Sequence, residues 1–256
     1  MKLRRGLHAM LVPWFAAVAL AAPAQQVRAA LVTLTGTHFD LTYDTTQLGL
    51  FGAPTLAGDS IFFTFSGFVA ESLNGAGVVT QNSTIAGLVL QARNGFQFGA
   101  FNLAEFGDYK LAGSGSSVHI GGQLRAFNLA SAINTQTTRA LALSGSTPLN
   151  LNDGALHDWL GTARIDSSTA PVGVPPDFGP ATNVILSRPE RVGMSIENQL
   201  TAYTDADAAG FRQAFIEKKF AGVQMTVSAV PLPPSATLLG AGLGVGLWLF
   251  LRRRAD

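Results

Sequence analysis

The chain has 256 residues, no Cys and a formal net charge of +1. The missing Cys excludes a disulfide framework, a thiol nucleophile and lipidation at a lipobox cysteine. Seven of the 17 basic residues lie in the two terminal segments, so the body holds 10 basic against 15 acidic residues, near −5. A body of that charge offers no basic face to neutralise phosphates, which argues against nucleic acid as a partner.

Residues 1–29 read as a cleavable secretory signal peptide. Lys2, Arg4 and Arg5 form a basic start, an apolar stretch follows, and small-residue cleavage sites occur at Ala22-Pro23-Ala24 and Val27-Arg28-Ala29. Residues 30–228 form the body, long enough for one sizeable core. Without disulfides, that core alone must hold an exported fold together.

Along the body, short apolar runs recur with period two. Phe39, Leu41 and Tyr43 alternate with Asp40, Thr42 and Asp44. Ile61, Phe63 and Phe65 form a second such set, and Val223, Met225 and Val227 a third. This alternation places one set inward and the other toward water, as in half-buried antiparallel strands. Turn signals separate the runs: Asn74-Gly75, Asn94-Gly95, Gly113-Ser114-Gly115 and Gly121-Gly122. Asn94-Gly95 reads as the turn of a two-residue hairpin. The proline-rich stretch 171–180 reads as a long surface loop. Residues 205–218 fit a helix, with Asp205 as cap and Phe211 and Phe215 four apart, or equally a strand. The expected fold class is all-β, an antiparallel β-sandwich or jelly-roll-like body.

No catalytic constellation emerges. The body's histidines, His38, His119 and His157, stand far apart, and no Gly-x-Ser-x-Gly elbow occurs. His157 and Asp158 are sequence neighbours, which in a strand places them on opposite faces. Asp40, Asp44 and Asp59 are weak calcium candidates in an acidic exported protein. No other cofactor is expected. Phe96, Phe98, Phe101 and Phe106 crowd one region, and Trp159 is the only Trp of the body. They fit core packing better than sugar stacking, for which Trp and Tyr are the usual platforms.

The tail has three parts in order: Val230-Pro231-Leu232-Pro233, an apolar run over 236–251, and Arg252, Arg253 and Arg254. As a helix the run would span about 24 Å, near the lower limit for crossing a bilayer. The arginines would hold that end on the cytoplasmic side, with the body on the other. This segment, 229–256, resembles the PEP-CTERM sorting signal. Leu232 stands where the usual motif carries Glu, a Val-Pro-Leu-Pro variant common in that group. The stretches FDLTYDTTQLGLFGAPTLAGDSIFF and IEKKFAGVQMTVSAVPLPP are similar in cast to bodies of the group.

The resemblance implies an exosortase-type membrane transpeptidase of a Gram-negative bacterium as partner. It also implies a transient inner-membrane precursor, cleavage near the proline motif, and delivery to the envelope or extracellular matrix. The expectation is therefore a non-enzymatic structural or adhesive protein. The alternative is a carbohydrate-binding module for extracellular polysaccharide, with calcium assistance.

Overall fold

The computed structural model describes residues 30–129, 136–143, 149–166 and 190–230. The expected signal peptide, the 171–180 loop and the tail from Pro231 onward lie outside those residues.

Two antiparallel sheets account for nearly all of the described chain. The first runs, in spatial order, β1 (Leu31–Thr35), β2 (Phe39–Asp44), β6 (Gly77–Ala92), β12 (Arg191–Thr204), β8 (Ser116–Asn128) and β9 (Gln136–Ala140). The second runs β10 (Ala142–Leu143), β11 (Leu156–Asp166), β7 (Phe96–Ala112), β13 (Gln213–Ala229), β4 (Ser60–Thr64) and β3 (Thr55–Ala57). A further strand, β5 (Val69–Leu73), pairs with β13 on the same side as β4, one segment further along. The expected all-β, antiparallel sandwich is what forms. The alternating runs occupy strands as read, with Phe39, Leu41, Ile61, Phe63 and Val223 fully buried.

Several turns act differently from the expectation. Asn94-Gly95 does form a tight turn, with Phe96 N donating to Arg93 O at 2.9 Å. The strands it joins then diverge: β6 belongs to the first sheet and β7 to the second, so no hairpin ladder follows. Asn74-Gly75 is the same kind of corner, with φ of 47° and 87° and Ala76 N donating to Leu73 O. Gly113–Gly115 is a third, leading from β7 back to β8. Hairpins do form at Gly58-Asp59, between β3 and β4, and between β1 and β2.

Gly121-Gly122 is no turn; it sits inside β8. A Cβ at Gly122 would lie 2.7 Å from Asn198 Oδ1 and 3.0 Å from Glu197 O, so the glycine makes room for the facing strand. The helix option for 205–218 is also corrected. Asp205 accepts from Asp207 N in a turn, and β13 begins at Gln213 with Ala214, Ile216 and Lys218 inward. Phe211 stays exposed.

Strands β6, β7 and β13 run 16, 17 and 17 residues, long enough to cross two cores laid end to end. One core gathers Phe39, Phe63, Leu90, Phe101, Met194 and Val223. The other gathers Phe68, Tyr109, Trp159, Leu200, Ala202 and Ile216. A polar belt separates them at the same level of three strands. Glu105 lies between Leu103 and Tyr109, Asn198 between Ile196 and Leu200, and Lys218 between Ile216 and Ala221.

Candidate functional site

Two regions of the sandwich concentrate charge, and both are built on β7 and β13. The first is the polar belt. The side chains of Glu105 and Lys218 are both 0% exposed, and Lys218 Nζ donates to Glu105 Oε2 at 2.5 Å. From the opposite sheet, Asn198 Nδ2 donates to Glu105 Oε1 at 3.0 Å. One carboxylate therefore bridges an amine and a carboxamide. Asn198 Oδ1 is buried with no hydrogen-bond partner among the described residues.

The rings of Phe65, Phe68 and Trp159 surround Lys218 Nζ at 5.5, 5.6 and 5.8 Å from their centroids. Trp159 is held by its Nε1, which donates to Glu217 O at 3.0 Å. Burial pushes the Lys218 ammonium down to about 8, against the opposing pull of Glu105. A bulge in β13 between Lys218 and Phe220 sets the direction of the lysine, a common use of such irregularities. Opposite it, Gly107 allows close approach: a Cβ there would lie 1.9 Å from Glu217 O.

The second region is a cleft of about 740 Å³ beside β7 and β11. Asp108 and Asp158 are direct register partners on the face opposite to Trp159. Lys219 bonds Asp108 and also reaches Glu217 at 3.2 Å. Its hydrogen bond with Asp108 raises the Lys219 pKa. Phe106 and Leu160, also register partners, give the cleft an exposed apolar wall, and Phe106 stacks on Phe220 at 4.9 Å. Such a mixture of apolar wall and few polar groups suits a small polar ligand with an apolar face.

The residues singled out from sequence disperse. Asp40 pairs with Arg93 at 3.4 Å, and Asp44 accepts from Thr46, which holds its carboxyl below the usual range. Asp59 bonds His38 at 2.8 Å. Among the described residues, no group of three or more His, Asp or Glu side chains converges to hold a metal ion. His157 bonds Asp153 at 2.9 Å, which keeps that carboxyl low, while Asp158 projects from the other face as expected. His119 is exposed on β8. Of the aromatic group, Phe98 and Phe101 are core, Phe96 packs on His38, and Phe106 is 45% exposed. Trp159 is 4% exposed and, although it borders the cleft, its ring packs in the second core rather than forming a surface platform.

Val230 follows directly on β13, its N donating to Gly95 O at 2.7 Å. Leu232, Pro231, Pro233 and Arg252 to Arg254 lie outside the described residues. Sequence reading missed Glu105, Asn198 and Lys218. Their signal was a polar residue at an inward position of an alternating strand, in three strands at once.

No protein-family model matches the chain, and no curated protein matches it. Two solved structures show a distant likeness, both of infectious bursal disease virus. For the VP2 subviral particle the identity is 12% and the TM-score 0.19, covering 84% of this chain and 60% of that one. For the Gt strain structure the values are 11% and 0.15, covering 77% and 53%. The chain thus spans little more than half the length of those structures.

Proposed function

We propose that this chain is an exported, non-enzymatic β-sandwich protein, sorted by an exosortase-type membrane transpeptidase and displayed or released at the cell envelope or in its matrix. The observation that carries the reading is the three-part order of the tail, Val230 to Pro233, an apolar run, then Arg252 to Arg254. The end of β13 at Ala229 is consistent with it, because a cut after Val230 would leave the paired strand whole. Intact mass on protein from membrane, envelope and medium fractions of a host carrying the sorting enzyme tests it. A species beginning near Gln25 or Ala30 and ending near Val230 is expected. A species that retains Arg254 and stays in the inner membrane would overturn the reading.

A second reading is favoured by the cleft: recognition of extracellular polysaccharide. The exposed ring of Phe106 would face the C–H side of a sugar, while Asp108, Asp158 and Lys219 would meet its hydroxyls. Saturable binding on a glycan array, lost in Phe106→Ala, is the expected result. A flat response across the array removes this reading.

A further inference from the structure

The belt has the composition of a reaction as well as of an ion pair. We propose that Lys218 and Asn198 become joined by an intramolecular amide bond, with Glu105 as the catalytic acid and base, stapling one sheet of the sandwich to the other. The reactants are an amine, a carboxamide and a carboxyl group that touches both, each at least nine-tenths buried. The bond would cross between the sheets, since Lys218 lies on β13 and Asn198 on β12. It would give a Cys-free exported chain the covalent link that disulfides give others.

The chemistry balances without any outside reagent. A proton passes from the Lys218 ammonium to the Glu105 carboxylate, leaving a neutral amine and a carboxylic acid. Burial among the rings makes the Lys218 proton easier to release than that of an exposed lysine. A half-turn of the Asn198 side chain exchanges Oδ1 and Nδ2, and brings the unpartnered oxygen onto the Glu105 acid. The acid polarises the carbonyl, and Nζ attacks Cγ. Glu105 relays a proton from Nζ to the leaving nitrogen, the Cγ–Nδ2 bond breaks, and ammonia departs. One C–N bond forms, one breaks and no atom changes oxidation state. Glu105 ends protonated, donating to the new amide carbonyl.

The surrounding strand supports this assignment. The glycine at position 122 admits Asn198, the bulge directs Lys218, and the ring of Trp159 is pinned above the amine. Full burial of the Lys218 and Glu105 side chains keeps bulk solvent from the product and so suppresses its hydrolysis.

The test is intact mass and peptide mapping on the folded full chain. Expected is a mass short of the sequence value by one ammonia, and a branched tryptic peptide joining 192–212 to 213–219. Two amino termini distinguish it from the linear 192–219 peptide left by missed cleavage. Lys218→Met, Asn198→Ala and Glu105→Gln should each keep the ammonia. An unshortened mass in the folded wild type overturns the proposal, whatever the variants do. So does a loss that persists in Lys218→Met, as cyclisation of an amino-terminal Gln would give. Because the peptide lies upstream of Val230, the result is independent of whether the tail is sorted.

Discussion

Lys218 and Lys219 are neighbours in sequence, and each pairs with a carboxylate of β7, yet they live in opposite worlds. Lys218 lies in the dry belt with Glu105, and burial drives its pKa down to about 8. Lys219 reaches Asp108 on the outer face, 46% exposed, and its pKa is raised. Lys219 also has a second carboxylate, Glu217, at 3.2 Å, but the larger difference between the two lysines is solvent. Inside, desolvation outweighs attraction to a single counter-charge; outside, there is little desolvation to oppose it.

The largest expected effect breaks the inner half of this comparison. In an Asn198→Ala background, where Lys218 stays an amine, adding Glu105→Ala strands Lys218 among aromatic rings and should cost about 3–5 kcal/mol, read from the urea midpoint. Lys219→Ala should move that midpoint far less. Equal losses would mean that burial does not separate the two pairs. Next, Gly107→Ala forces a methyl group against Glu217 O, and overpacking of this kind costs about 1–3 kcal/mol. An unchanged midpoint there would show that β13 can shift away from β7 without loss.

Titration sharpens the contrast. In Asn198→Ala the Lys218 amine stays free, with a folded value of about 8 below the ordinary 10.5. Between those values the unfolded chain binds more protons, so stability should rise with pH across that window. Lys219 runs the other way: its contribution holds below 10.5 and is lost as pH climbs through its raised value. In the linked wild type no Lys218 amine remains to titrate, and the rise should vanish. Urea midpoints of both chains over the window decide this. The smallest effect belongs to the outer aromatics, where Phe106→Ala removes one stacked pair, worth about 0.5–1.5 kcal/mol.

The strands themselves were readable because alternation reports a half-buried ladder directly. Phe39, Leu41 and Tyr43 sit inward as their spacing says. The sheet to which each strand belongs was not readable. Asn94-Gly95 has hairpin chemistry, but pairing of β7 with β11 and β13 sends the strands apart. The belt escaped for a related reason. Lys218 breaks the alternation of Ala214 and Ile216 and so reads as an exposed end, and Glu105 does the same after Phe101 and Leu103. Gly121-Gly122 reads as a turn until Asn198 is seen to need the space. Each of these residues has meaning only through a partner more than 70 positions away.

The placement of β13 also has a mechanical meaning. Force applied at Val230 enters the sandwich along a strand bonded on both flanks, to β7 on one side and to β4 and β5 on the other. Two ladders must then shear together, whereas a load on an edge strand such as β10 would peel one rung at a time. Lys218 stands on that same strand, upstream of the point of loading. A covalent link there would pass tension to the second sheet before the rest of β13 could slide.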